Sequence, residues 1–287
     1  MSGAEAIRAA VPCRACLSGE DLDWLGGESV SVGLELMTTV TVAPPGAGPA
    51  GPADQAGPAG AAGGWPEEVW AYLRARLPGL PPEPPAVAVH SDAPAASGLS
   101  SSTALIVGLF RAFTDAYAPE PRIPAATLAR WAYEFEFAVF NGGGMDQLAV
   151  LAGEALLLEG RTRGLPVIRD RRAFPEDWAV LVVDSGTRKD TGDHIRSVRA
   201  RLAAGDSRLR DFVARTRETS AAVWEALCAR DTTGLGTAMD GAHVLMRDLQ
   251  GMSTPQLEEL RETAAGAVGL PLKLSGAGGG GALVGVC

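Results

Sequence analysis

Residues 94–102 read Pro94-Ala95-Ala96-Ser97-Gly98-Leu99-Ser100-Ser101-Ser102 and lead straight into Ser100 to Ala116, a stretch apolar around most of a helical circumference. Glycine lets the backbone come close to a ligand, and serine hydroxyls cap a helix whose free N–H groups face outward. A helix N-terminus of this kind favours an anion, so the segment is a phosphate site on physical grounds. Glycine and serine content taken alone favours an ordinary Ser-capped helix. The segment is neither G-x-x-x-x-G-K-[ST] nor G-x-G-x-x-G, which removes the P-loop and dinucleotide-fold readings.

Around this helix the pattern alternates between strands and helices. Residues 29–43 (SVSVGLELMTTVTVA) alternate and are rich in β-branched residues, which predicts strands. Pro44 to Gly64 has almost nothing to bury and is expected to be a mobile surface loop. Trp65 to Leu77 has helical spacing, and a short strand is expected over Ala86 to His90. Thr127 to Phe140 reads as a second helix, Ala155 to Leu158 as a strand, and Ala179 to Val183 as an inner strand. Arg188 to Arg230 is polar and helical, Leu257 to Val268 is a further helix, and Ala282 to Cys287 is a strand. The class is α+β, in two closely joined halves meeting near residues 170–180.

Composition bounds the function. The chain has 287 residues, 46% hydrophobic and 21% charged, which permits a large core. A net charge of −9 argues against a broad nucleic-acid footprint, since phosphate neutralisation needs clustered Lys and Arg. No apolar run approaches a membrane span and no signal peptide is legible, so a cytoplasmic protein is expected. Cys13 and Cys16 form a C-x-x-C, but the three histidines (His90, His194, His243) are scattered, and two free thiols in a strand are expected rather than a metal or redox site.

Two further glycine-rich segments accompany the first. Lys273-Leu274-Ser275-Gly276-Ala277-Gly278-Gly279-Gly280-Gly281 has five glycines, is not expected to form a regular element, and suggests backbone packed close to a ligand or another loop. Residues 12–27 (PCRACLSGEDLDWLGG) combine Arg14 with Glu20, Asp21 and Asp23 before a closing Gly-Gly. Carboxylates suit polyhydroxyl substrates because each oxygen accepts hydrogen bonds.

Together the three segments resemble the motifs of the GHMP kinase superfamily, named for galactokinase, homoserine kinase, mevalonate kinase and phosphomevalonate kinase. In chain order the first, residues 12–27, is similar to the galactokinase signature G-R-x-N-L-I-G-E-H-x-D-Y-x-G-G at Arg14, Leu17, Gly19, Glu20, Asp23, Gly26 and Gly27, with Cys13, Cys16 and Asp21 where the signature has Gly, Asn and His. The second matches P-x-x-x-G-L-S-S-S. The third resembles the K-L-T-G-A-G-G-G-G loop of the mevalonate-kinase branch. Asn141-Gly142-Gly143-Gly144-Met145-Asp146-Gln147 resembles the galactokinase segment that carries the catalytic aspartate. The four occur in family order and, with the stretches between, cover almost the whole chain.

The resemblance implies a two-lobed fold, with a ribosomal S5 domain 2-like half over residues 1–175 and a ferredoxin-like half over 176–287. It implies transfer of the ATP γ-phosphoryl group to a hydroxyl, with Mg2+. Asp146 would accept or orient the hydroxyl proton, and Arg14 would hold Asp146 ionised and offset developing charge. Pro94, Ser97, Gly98, Leu99, Ser100, Ser101 and Ser102, with Gly276, Gly278 and Gly279, would bind ATP. Ser102 and Glu134 would complete the Mg2+ shell, Glu136 being close enough in the helix to compete. Glu20, Asp21, Asp23, Gly143 and Asp146 would contact substrate. Arg188 and Lys189 would face phosphate or form a solvated turn, and Trp24 would stack on a sugar or pack in the core. On residue chemistry alone, Asp146 could instead cap a helix and Arg14 serve as a structural ion-pair partner.

The chain is shorter than typical galactokinases, and Asp in place of His at position 21 argues against galactose itself. The expected acceptor is the anomeric hydroxyl of an unusual higher-carbon or amino sugar, giving a sugar 1-phosphate for specialised-metabolite biosynthesis. A cyclitol or aminocyclitol kinase is the alternative, and a non-catalytic sugar-sensing protein on the same fold a further one. Family members usually continue beyond the position of Cys287, so the second half is expected to be trimmed or its sheet completed by a partner; monomer and homodimer both stay open. No nucleic-acid or membrane partner is expected.

Overall fold

Two long alternating strands, β1 (Ile7–Ser18) and β2 (Glu28–Val42), form an antiparallel pair from which the first half is built. In the computed structural model, which describes residues 5–44, 64–118, 121–188 and 191–287, α1 (Leu22–Leu25) joins them. The expected loop at 44–64 lies almost wholly outside the described residues, as does Lys189.

The far edge of β2 is shared. Its first residues pair with β4 (Ala155–Glu159) and its last with β3 (Val87–Ser91), and β5 (Val167–Arg172) adds to β4, all antiparallel. Against this sheet lies α3 (Ser101–Tyr117), the apolar helix that follows the serine-rich segment. Leu105, Ile106, Leu109 and Phe110 bury against Val11, Val30, Val32 and Val40. Burial at such positions contributes about 1.5–3 kcal/mol per large side chain. α2 (Trp65–Arg74) packs Trp70 edge-on to Phe113 at 5.0 Å, and α4 (Ala125–Phe140) and α5 (Met145–Ala152) complete the layer.

The second half has a three-stranded antiparallel sheet, β6 (Val180–Asp184), β8 (Ala282–Val286) and β7 (Lys273–Leu274), in that order. The first two residues of the third glycine-rich segment are therefore strand, against expectation. Four helices cover this half: α6 (Thr191–Ala203), α7 (Ser207–Ala229), α8 (Thr232–Leu245) and α9 (Pro255–Val268). Local chemistry sets the starts of three of them. Asp206 accepts from Arg208 N–H at 2.8 Å, Asp231 from Gly234 N–H at 2.9 Å, and Thr254 from Leu257 N–H at 3.3 Å with Pro255 following. α8, which continues into a π-helical turn at Met246–Gln250, was not predicted from the sequence. No helix among the described residues is long and apolar enough to cross a membrane.

The halves are tied through the protein interior. Leu22 and Trp24 of α1 pack in the second half's cluster with Phe212, Leu245, Leu272 and Leu274. Lys273, fully buried, gives its ammonium to the carboxylate of Glu20, to Cys16 O at 3.1 Å and to Leu274 O at 2.7 Å. All three donors are used, which is the condition under which a charge can sit inside a protein. Removing one partner leaves the other charge uncompensated. Lys273→Met is expected to lower unfolding free energy by about 3–5 kcal/mol, and Lys273→Met combined with Glu20→Gln to recover most of it. Urea titration of the two variants checks this, equal losses in both contradicting it.

Candidate active site

Ser100, which precedes α3, has φ 59° and its side chain caps nothing. Its hydroxyl is buried and has no hydrogen-bond partner. The expected serine cap is thus not made, and the first N–H groups of α3 stay open to a ligand. Ser101 and Ser102 stand beside it on the wall of a cavity of about 770 Å3.

β1 carries Arg14 into this cavity, 4% exposed. Its Nε donates to Asp146 Oδ1 at 2.8 Å, Nη2 lies 2.7 Å from the same oxygen in an ion pair, and Nη1 donates to Gly98 O at 2.7 Å. Asp146 lies in the first turn of α5, after the glycine run, and is used by Arg14 rather than as a cap, Gly144 holding the N-cap position. Burial works against the Arg14 cation, and the charge and hydrogen bond of Asp146 together with further negative charge, Glu20 included, outweigh it, leaving its pKa above the ordinary value. Ser275 joins the third segment to the same group. Its hydroxyl accepts from Cys16 N–H at 3.2 Å and from Arg14 Nη1 at 3.4 Å, and donates to Gly98 O at 3.2 Å.

Beyond Asp146 the cavity wall is acidic. Asp23 Oδ2 accepts from Met145 N–H at 3.0 Å. A Cβ on Gly143 would lie 1.8 Å from that oxygen, so the glycine at 143 is what lets the carboxylate seat. Burial pushes the Asp23 carboxyl up to about 7; the Met145 hydrogen bond opposes this, and the charges of Asp146 and Asp21 add to it. Asp21, with φ 67°, also faces the cavity and pairs with His194 Nε2 at 2.7 Å.

Several expectations are corrected. Glu134 is not at the site: it is half-exposed on α4, accepting from Tyr72 Oη at 2.6 Å and pairing with Arg76. Two residues along a helix turn the side chain by about 200°, and it is Glu136 that is buried on the cavity side, accepting from Thr103 Oγ1 at 2.8 Å and from the Gln147 amide. Burial pushes the Glu136 carboxyl up to about 8, the Thr103 bond opposing and the Asp146 charge adding. Glu20 reaches the wall, but its Oε1 is taken by Lys273 and, at 3.4 Å, by Gly276 N–H. Gly278 and Gly279 lie away from the cavity, against Met252, whose carbonyl accepts from Gly279 N–H at 2.8 Å. Pro94 and Ser97 bond to each other, Ser97 Oγ to Pro94 O at 2.8 Å, and Leu99 is buried in the core. Gly98, Gly276 and Arg188 line the cavity, and so does Trp24, which also packs in the second half's cluster and has Arg199 over its ring at 4.7 Å. Cys13 and Cys16, both in β1, bury in separate clusters.

The donor set suits a hard cation. Ser102, Glu136 and Asp146 offer only oxygen, and the Glu136 carboxyl is raised by burial with the charge of Asp146 adding. Sequence reasoning did not anticipate Thr103, Gln147 or His194; Glu136 was found only as the neighbour of Glu134.

Two family models match this chain, GHMP kinases N terminal domain over residues 66–154 and GHMP kinases C terminal over residues 224–287. The chain belongs to the GHMP kinase superfamily. A galactokinase from Actinobacillus succinogenes is 30% identical over 235 residues, 69% of this chain and 60% of that protein, so the chain spans less than two thirds of that relative. Among solved structures, Lactococcus lactis galactokinase complexed with galactose matches at TM-score 0.74 and 18% identity over 99% of this chain and 86% of that one. L. major mevalonate kinase in complex with R-mevalonate matches at TM-score 0.76 and 19% identity over 98% and 86%. The GHMP kinase fold is shared across both.

The raised carboxyl of Glu136 has a consequence for stability. Its folded pKa, about 8, lies above the ordinary 4.5, so the unfolded chain releases the proton first and stability falls as pH rises between those values. Glu136→Gln removes that loss. The variant is expected to be more stable than the parent by on the order of 2 kcal/mol at pH 8 and no more stable at pH 4, as thermal melts at the two pH values would show.

Proposed function

We propose that this GHMP-family chain is an ATP-dependent kinase that phosphorylates a hydroxyl of a sugar or sugar-like polyol. The observation that carries the reading is the Arg14–Asp146 pair, set beside the uncapped N-terminus of α3 and facing a cavity large enough for a nucleotide and an acceptor. The N–H groups opening α3 and the hydroxyls of Ser101 and Ser102 would hold the ATP phosphates. Asp146 would take the proton of the acceptor hydroxyl as its oxygen bonds to the γ-phosphorus and the bond from phosphorus to the β–γ bridging oxygen breaks, ADP leaving with that electron pair. Arg14 would orient the Asp146 carboxylate and offset charge on the transferring group. Ser102 and Glu136 would hold Mg2+, which when bound neutralises phosphate charge.

The acceptor end is lined by Asp21, Asp23 and Asp146, which repel a carboxylate substrate and suit hydroxyl or ammonium donors. An amino or higher-carbon sugar phosphorylated at the anomeric hydroxyl fits that lining, and the galactokinase-like first motif supports the anomeric position. The raised Asp23 carboxyl adds a pH limb: kcat/KM for the acceptor is expected to rise with pH through about 7, and Asp23→Asn to flatten it.

31P NMR with Mg·ATP and a panel of aldoses, aminosugars, higher-carbon sugars and aminocyclitols tests the reading. A new phosphate signal coupled to an anomeric proton is the expected result; coupling to a ring proton moves the acceptor to a cyclitol. Asp146→Asn should cut turnover by roughly 10²–10⁴-fold while nucleotide affinity holds. Unchanged turnover in that variant would remove Asp146 from the mechanism.

A further inference from the structure

Substrate recognition in the proposed site is built from one side, β1, α1 and α5, apart from one contribution. α6, which follows β6 in the second half, lays its first turns over the acceptor end of the cavity. It is seated there by three contacts of different chemistry. Ile195, 7% exposed, lies beside Gly142, where a Cβ would come within 3.2 Å of its side chain. Arg199 stacks over Trp24 and gives its Nε to Asn141 O at 2.9 Å. His194 Nε2 meets Asp21 Oδ2 at 2.7 Å, the two side chains being 13% and 8% exposed.

The geometry points to His194 as a specificity-determining residue, which fixes the Asp21 carboxylate as a reader of substrate hydroxyl or ammonium groups and brings α6 into acceptor recognition. Three features carry this, and the inference rests on the kinase reading above. Asp21 has a left-handed backbone that Asp tolerates better than most residues, and its side chain does not cap the helix it precedes. Its Oδ2 is occupied by His194 while its Oδ1 takes no hydrogen bond among the described residues, so a carboxylate on the cavity wall is anchored through one oxygen and leaves the other unused. Asp23 and Asp146 share that cavity wall, so an unanchored Asp21 carboxylate would be pushed outward by like charge. An anchored carboxylate also loses less freedom when substrate binds. His194 acts through Asp21 and is a positioning residue, not a catalytic one.

The test uses the full chain with galactose, galactosamine, mannose and myo-inositol as acceptors, by saturation-transfer NMR for binding and by coupled ADP release for turnover. His194→Ala is expected to weaken acceptor binding roughly ten- to a hundredfold, the range for losing a hydrogen bond to a charged group, with kcat and the KM for ATP within about threefold. His194→Gln, whose amide can donate from nearly the position of Nε2, should restore most of the affinity. Asp21→Asn should weaken the acceptor similarly, and adding His194→Ala to it should cost little more. Acceptor affinity unmoved in His194→Ala overturns the proposal. So does a parallel fall of kcat, ATP affinity and melting temperature without rescue by Gln, or a parent protein that binds none of the four polyols. A parent that binds a polyol but never transfers phosphate defeats the kinase reading instead, and the affinities of the variants still decide the role of His194.

Discussion

A single serine hydroxyl, Ser275 Oγ, stands where the three glycine-rich segments meet, and the geometry of the candidate site depends on it. It touches the backbone of β1 at Cys16, the guanidinium of Arg14 and the carbonyl of Gly98. Arg14 Nη1 and Ser275 Oγ thereby share one acceptor, Gly98 O, immediately before the open start of α3. The aim of Arg14 at Asp146 is fixed from behind by the phosphate-facing loop and by the second half's sheet together. Lys273, two residues before Ser275, does the same for Glu20. Both cations are buried, and a buried charge keeps its place only where its partners are placed to receive it. The rigid part of the site is therefore polar, and the hydrophobic clusters on either side hold the polar joint closed.

The same burial loads the cavity with carboxyl groups held at a cost. Asp23 and Glu136 are both pushed toward protonation by desolvation and by the charge of Asp146. Both suit a wall that meets cations or hydrogen-bond donors. A protein optimised only to fold would have replaced them. Their retention beside an uncapped helix and an orphaned Ser100 hydroxyl is the kind of local inconsistency that marks a binding site. His243 offers a contrast, since it is buried too but fully used. It accepts from Leu274 N–H at 3.1 Å and pairs with Glu258 at 2.7 Å, and burial pushes its pKa down to about 4. That histidine serves β7, not chemistry.

Most strands and helices were legible because periodicity and β-branching act locally, as in β2 and α3. What sequence could not supply was phase and partnership. Glu134 and Glu136 differ by two positions in a helix whose apolar residues, Tyr133, Phe135 and Phe137 among them, surround most of its circumference, so no polar stripe marks which carboxylate faces inward. Of Gly276, Gly278 and Gly279, the three glycines expected at ATP, only Gly276 reaches the cavity, with Ala277 beside it. Gly278 lies against Met252, and a Cβ on Gly281 would meet Ser97 O at 2.6 Å, where Ala282 N–H donates at 2.7 Å. Close packing of backbone on backbone selects glycine as strictly as a phosphate does. His194 was invisible because its partner lies 173 residues away.

The departures from the galactokinase-like signature fall where the site can absorb them. At position 16, where the signature has Asn, Cys16 contributes through its backbone, its N–H to Ser275 and its carbonyl to Lys273. Its side chain turns the other way, beneath α5 among Met145, Ala149, Leu156 and Leu158, so a small apolar residue serves there. Burial pushes that thiol's pKa up, which keeps it out of the chemistry. At position 21 the change from His to Asp reverses the sign of the side chain, and a histidine arrives opposite it from α6. An imidazole and a carboxylate thus meet at the acceptor end, one from each half of the chain. Such a pair would set a carboxylate on the cavity wall, and so alter which groups on a polyol can be read without disturbing the Arg14–Asp146 pair.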